Sequence, residues 1–175
     1  PLAHLENRDS PQFSSDGAKI IAVAADGTVR VHEAGRTRLL PLRLRPDLKL
    51  YSIELSPNGE FIVTASSDKT ARIWNVQTGQ PAAEPLRHDD LIHTAQWSPS
   101  GNRIVTASAD GTARIWDAST GKALTEPLPH GGPVLFARFS PEGQRVVTAC
   151  ADGAARVWDV QTGLALFEPF RHQGR

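Results

Sequence analysis

Ala109-Asp110-Gly111-Thr112-Ala113-Arg114-Ile115-Trp116-Asp117 decides the fold, because near-copies of it return at a fixed interval along the chain. Asp-Gly between strand-forming residues is a strong hairpin signal: the turn needs positive φ at both central positions, and Gly adopts it without strain. Asp110-Gly111 is therefore expected to reverse the chain between two strands. The copies are Ala25-Asp26-Gly27-Thr28-Val29-Arg30-Val31-His32, Ser67-Asp68-Lys69-Thr70-Ala71-Arg72-Ile73-Trp74 and Ala151-Asp152-Gly153-Ala154-Ala155-Arg156-Val157-Trp158. Their Asp residues are 26, 68, 110 and 152, a constant step of 42. A period of about 20 to 50 residues reads first as a solenoid, propeller or array.

Upstream of each copy stands a second turn: Phe13-Ser14-Ser15-Asp16-Gly17, Leu55-Ser56-Pro57-Asn58-Gly59, Trp97-Ser98-Pro99-Ser100-Gly101 and Phe139-Ser140-Pro141-Glu142-Gly143. Pro presets φ at the second turn position and Gly ends the reversal. Between the two turns lie Lys19 to Ala24, Phe61 to Ser66, Arg103 to Ser108 and Arg145 to Cys150, short and rich in Ile, Val and Thr, as strands are. After the Trp position come Gly35, Gly79, Gly121 and Gly163, then a last strand ending Glu84-Pro85-Leu86, Glu126-Pro127-Leu128 or Glu168-Pro169-Phe170. Proline cannot donate to a ladder, so it marks an outer edge strand. Before the Ser-Pro turns the apolar residues fall at Ile92, Ala95 and Trp97, and at Val134, Ala137 and Phe139. Strict alternation would space them by two, so one extra residue is absorbed in a β-bulge. Four strands per repeat, four repeats and no helical periodicity predict an all-β array of four four-stranded antiparallel blades. The repeats run over about residues 4–45, 46–87, 88–129 and 130–171 of a single array 1–175, with 172–175 opening a fifth.

Lys+Arg and Asp+Glu both number 19, which removes the summed field that would recruit nucleic acid or an anionic membrane. Cys150 is the single cysteine, so an intrachain disulfide framework and a Cys-x-x-Cys metal site are excluded. It fits a reducing, cytoplasmic compartment, and fills the slot of Ser66 and Ser108 as a small packed residue. No run approaches the roughly 18 apolar residues of a membrane span, and no charged-then-apolar leader opens the chain. Pro1 and the lack of Met point to a processed chain or an excised segment.

Ile115-Trp116-Asp117 and Val157-Trp158-Asp159, with His88 and His130 a fixed distance upstream and a Ser-Pro-x-Gly turn between, resemble WD40 repeats over essentially the whole chain. Trp74-Asn75 departs slightly and His32-Glu33 further, so the first repeat lacks its Trp. The resemblance implies a β-propeller and a protein-interaction scaffold without a catalytic site or cofactor. The wording Glu84-Pro85-Leu86-Arg87-His88 is similar to bacterial WD40 arrays that trail serine/threonine kinases or NTPases, so a regulatory segment of such an enzyme is the alternative.

His88, Thr106, Ser108 and Asp110 hold the parts of a nucleophilic triad. The set recurs as His130, Thr148 and Asp152, and a reaction needs a site once, whereas a fold must be built in every repeat. The resemblance instead implies a structural network in which His bonds the turn Asp and the strand hydroxyl, and Trp116 or Trp158 donates its N–H. In the first repeat His4 and Asp26 remain but Ala22 and Ala24 occupy the hydroxyl slots, and in the second Pro46 takes the His slot. Zinc at His4, His88, His93, His130 and His172 is disfavoured, since no two stand at i, i+4, no Cys-x-x-Cys is present, and residues one repeat apart belong to different blades. Arg30, Arg72, Arg114 and Arg156 read as stems packed between blades with heads paired to carboxylates, rather than as a phosphate-reading stripe.

Residues that differ between repeats are where a partner is read. The family's recognition face implies two positions at each bulge, Asn7 and Asp9, Lys49 and Tyr51, Leu91 and His93, Pro133 and Leu135, and the residues before each Asp, Ala25, Ser67, Ala109 and Ala151. Lys49, Tyr51, Leu91, His93 and Leu135 form the expected anchor patch, with the leucines also suited to line a channel wall. Four blades are too few for the ring of about seven that the resemblance implies, so the end walls are expected to be covered by a second copy closing a ring of eight, or by further blades of a parent protein.

Overall fold

The computed structural model describes residues 12–14, 17–23, 28–33, 36–43 and 49–171. Among them there is no helix, and the strands form four separate four-stranded antiparallel meanders. Blade 1 comprises β1 (Gln12–Phe13), β2 (Lys19–Val23), β3 (Thr28–Glu33) and β4 (Arg36–Arg43). Blade 2 comprises β5 (Leu50–Leu55), β6 (Phe61–Ser66), β7 (Thr70–Asn75) and β8 (Leu86–Arg87). Blade 3 comprises β9 (Ile92–Trp97), β10 (Arg103–Ser108), β11 (Thr112–Asp117) and β12 (Leu128–Pro129). Blade 4 comprises β13 (Val134–Phe139), β14 (Arg145–Cys150), β15 (Ala154–Asp159) and β16 (Phe170–Arg171). The first strands of successive blades lie side by side, β5 against β9 and β9 against β13, so they form the inner wall of the array.

The Ser-Pro turns close as their sequence requires, with the N–H of Gly59, Gly101 and Gly143 donated to the carbonyl of Ser56, Ser98 and Ser140. The Asp turns differ from the sequence expectation of positive φ at both central positions. Gly111 has φ of 83°, but Asp110 does not share it. The loop is three residues long, Ala109 to Gly111, closed by Gly111 N–H on the Ser108 carbonyl at 3.4 Å. This is the turn with one left-handed residue at its end. Asp110 keeps an ordinary backbone because its carboxylate caps the turn, accepting the Thr112 N–H at 2.8 Å and its hydroxyl at 2.7 Å. In blade 2 the left-handed position is Lys69, with φ of 66°.

The three-then-two spacing produces the expected bulge in three blades. Leu50 pairs with Ser66 and Ser52 with Ala65, which leaves Tyr51 unpaired. His93 is left between the pairs Ile92–Ser108 and Thr94–Ala107, and Leu135 between Val134–Cys150 and Phe136–Ala149. The outer strands β8, β12 and β16 hold only two residues each, following Pro85, Pro127 and Pro169. Short, proline-flanked edges offer little ladder to a stray strand.

The core lies between blades, one layer per junction. Val63, Ala65, Ile73 and Leu86 of blade 2 pack on Ile92, Ala95, Trp97 and Ile104 of blade 3. One register on, Val105, Ala107, Ile115 and Leu128 of blade 3 meet Val134, Ala137, Phe139 and Val146 of blade 4. Ile21, Val29 and Val31 of blade 1 meet Ile53, Leu55 and Ile62 of blade 2. Blades 2 and 3 thus each contribute two different apolar faces, and stability comes from stacking neighbours.

Candidate functional site

The His network is complete in blade 3. Trp116 Nε1–H donates to Thr106 Oγ1 at 2.8 Å, Thr106 donates to His88 Nε2 at 2.7 Å, and His88 Nδ1–H donates to Asp110 Oδ2 at 2.7 Å. This donor order holds for a neutral imidazole. Burial lowers the His88 pKa, against the opposing pull of the Asp110 carboxylate. Burial of Asp110 would by itself raise its pKa, but donors from Thr112, the Asp89 N–H and His88 outweigh it and hold the carboxyl at about 2. Ser108 is separate from the chain of donors: its hydroxyl donates to the Leu91 carbonyl at 2.9 Å and accepts the Asp110 N–H. The Thr106, Ser108 and Thr112 hydroxyls are each bonded within this network and its turn.

Blade 4 corrects the expectation that the same set is repeated. Trp158, Thr148 and His130 are joined as in blade 3, at 2.9 Å and 2.7 Å. His130 Nδ1–H, however, donates to the Leu128 carbonyl at 3.0 Å, and Asp152 turns to Arg156 at 3.6 Å. The physical reason is at Ala154, which replaces Thr112 and removes the hydroxyl that tethers the carboxylate. Burial again lowers the His130 pKa. In blade 2, which lacks the His, Trp74 still donates to Thr64 at 3.0 Å, and Asp68 is held by Ser66, Thr70 and Arg72. Arg72 and Arg156 therefore pair with carboxylates, while Arg114 lies over the Trp116 ring, 6.0 Å from its centroid.

The bulge residues come together across blades 2 and 3. Lys49 Nζ stands 5.2 Å from the centroid of the Tyr51 ring, and the Tyr51 and His93 rings meet edge-on at 5.8 Å. Ejection from the ladder at the bulge is what lets two rings from neighbouring inner strands touch. Leu135 is exposed and Leu91 half-buried, and neither takes part in those ring contacts. Ser67, Ala109 and Ala151 flank them as small residues at the start of each Asp turn. His4, Asn7, Asp9, Ala24, Ala25, Asp26, Pro46 and His172 lie outside the described residues. Among the described residues no three His, Cys, Asp or Glu side chains are grouped to hold a metal ion.

Sequence reading missed a cavity of about 740 Å³ at the other end of the inner strands, lined by Glu54, Gln96, Trp97, Arg138, Phe139 and Val147 among others. Glu54 accepts the Trp97 N–H at 3.0 Å. Burial pushes its pKa to about 7, against that N–H and the charge of Arg138. The available signal was register: Glu54, Gln96 and Arg138 occupy one repeat position.

The family described as WD domain, G-beta repeat, matches residues 46–75, 79–117 and 121–159. The crystal structure of the computationally designed Ika8 protein is similar at a TM-score of 0.78 and 28% identity, over 93% of this chain and 49% of that one. The chain thus spans about half the length of that protein. No curated protein matches it.

Proposed function

Because this chain belongs to the WD40 repeat family, whose propellers generally mediate protein–protein interactions, we propose that it is a non-catalytic scaffold that reads a protein partner through the face carrying the Asp turns and bulges. The observation that carries this reading is the contiguous row Lys49, Tyr51 and His93, with Leu91 and Leu135 beside it in the register. A cation over an aromatic ring with a second ring against its edge is a preorganised anchor, since few rotamers remain to be fixed on binding. The test is capture of partners on the immobilised chain, followed by affinity measurement with Tyr51→Ala, Leu91→Ala, His93→Ala and Leu135→Ala. A true anchor loses about 2 kcal/mol or more on truncation. Unchanged affinity in all four variants rules the surface out.

The alternative is a regulatory WD40 segment of a larger bacterial serine/threonine kinase or NTPase, carried by the Glu84 to His88 wording. Reading the gene upstream of Pro1 decides it. Self-association is a further reading, favoured by the open apolar face of blade 4, where Val147, Phe167 and Phe170 are exposed.

A further inference from the structure

We propose that Asn58-Gly59 is a deamidation site latched by its own turn: the folded turn holds the asparagine intact, and loss of the amide nitrogen, once it occurs, keeps the turn from re-forming as before.

Asn7, Asn75 and Asn102 are followed by Arg, Val and Arg, so only Asn58 precedes a glycine. Glycine has no side chain to hinder attack by its own backbone nitrogen on the preceding residue. In that reaction the Gly59 N–H gives its proton to a water-derived base, the nitrogen attacks Asn58 Cγ, and the Cγ–Nδ2 bond breaks as ammonia leaves. Water then opens the resulting succinimide to aspartate or isoaspartate.

The reaction needs a free Gly59 nitrogen and a side chain able to swing toward it, and the turn withholds both. Gly59 N–H donates to the Ser56 carbonyl at 2.8 Å. Asn58 Oδ1 accepts the Ser56 hydroxyl at 2.6 Å and the Glu60 N–H at 3.1 Å, and Asn58 Nδ2 donates to Glu60 Oε2 at 2.9 Å. Glu60 is itself anchored, its carbonyl accepting the Val76 N–H at 2.8 Å. A blade of the chain lies on each side of the turn. Lys19 of blade 1 donates to the Gly59 carbonyl at 3.0 Å, and a Cβ on Gly101 of blade 3 would lie 3.5 Å from Pro57 Cδ. Asn58 and Glu60 are nevertheless exposed, so water reaches the site whenever the turn opens.

The product cannot remake these bonds. An aspartate at position 58 sets a second carboxylate against Glu60, where the amide had donated across 2.9 Å, and two like charges at that distance repel. The other repeats avoid that pairing: Asp16 is matched with Ala18, Ser100 with Asn102 and Glu142 with Gln144, so no repeat has acids at both positions.

The test incubates the full chain at neutral pH and physiological temperature and follows conversion at Asn58 by peptide mass mapping. Conversion is expected to run at least about tenfold more slowly than in the same chain unfolded in guanidinium chloride, because it waits on local opening. Glu60→Ala, an exposed substitution that frees Asn58 Nδ2, is expected to raise the folded rate severalfold with an unchanged urea midpoint, whereas Glu60→Gln keeps an acceptor and stays slow. Equal rates in the folded and unfolded chain overturn the latch, and so does a folded rate that Glu60→Ala leaves unchanged. Asn58→Asp, the product itself, is expected to lower the urea midpoint, and combining it with Glu60→Ala to recover it. A midpoint that Asn58→Asp leaves unchanged overturns the effect of conversion on the turn.

Discussion

His88 Nδ1 stands 2.7 Å from Asp110 Oδ2, buried at the rim of blade 3 and joined through Thr106 to Trp116. Removing the ring leaves the Asp110 carboxylate and the Thr106 hydroxyl short of a partner at the same time. His88→Ala is therefore expected to cost about 3 kcal/mol of stability. His130→Ala leaves only Thr148 and a backbone carbonyl short, and is expected to cost about 1–2 kcal/mol. Urea unfolding of both variants checks the order, and a larger loss at His130 would contradict it.

Glu54 and the two network histidines, buried His88 and half-buried His130, drive stability in opposite directions with pH. The histidines have folded-state pKa values below 6.5, so as pH falls below 6.5 the unfolded chain takes up protons that the folded one refuses, and stability drops. Glu54 is raised from 4.5 to about 7 in the fold. Its protonated form is favoured by folding, so its contribution is fully present below pH 4.5 and lost as pH rises through 7. Glu54→Gln keeps an acceptor for Trp97 and removes the buried charge. The variant is expected to gain on the order of 2 kcal/mol at pH 8 and nothing at pH 4, measured by thermal unfolding at both values. An equal gain at both would show that charge burial is not the cause.

Lys69 occupies the left-handed position that Gly111 and Gly153 hold in blades 3 and 4. A side chain there costs about 1–2 kcal/mol, and the Lys69 Nζ contact with the exposed Asp89 carbonyl returns little of it. Lys69→Gly is expected to stabilise by about 0.5–1 kcal/mol after the entropy of the unfolded glycine is subtracted. In a chain of this length that raises Tm by about 1–4 °C. A lowered Tm would show that the lysine contact outweighs the backbone strain.

Thr94 is buried with its hydroxyl unpartnered, one residue past the bulge of blade 3. Thr94→Val replaces that hydroxyl with a methyl of the same shape and is expected to raise stability by about 1 kcal/mol in urea unfolding. A loss would reveal a bond that the hydroxyl makes in solution.

The period, the reversal points and the bulges were legible because each depends on a few adjacent residues. Asp110-Gly111 fixed where the chain turns, and Ile92, Ala95 and Trp97 fixed where a strand must absorb an extra residue. The kind of Asp turn was not legible, because Asp-Gly serves loops of two or three residues and the outcome depends on the Asp110 side chain capping Thr112. The blade 4 network was misjudged for a related reason. His130 and Asp152 are both present, but a single missing hydroxyl at Ala154 leaves the carboxylate to Arg156. Phe13 and Val147 are exposed although they hold the repeat positions of residues buried in other blades, and exposure of that kind is not written in the residues themselves.

At each of the three described bulges one residue has no opposite number in the strand register, while the residues on either side, Leu50 and Ser52, Ile92 and Thr94, Val134 and Phe136, keep it. Tyr51, His93 and Leu135 can consequently change identity without shifting a strand or emptying a core position. The inner wall behaves as a short alphabet written on a fixed ruler, one letter per blade. On the proposed reading of this face, randomising only these three positions would vary the recognition surface while the strands and their register stay in place.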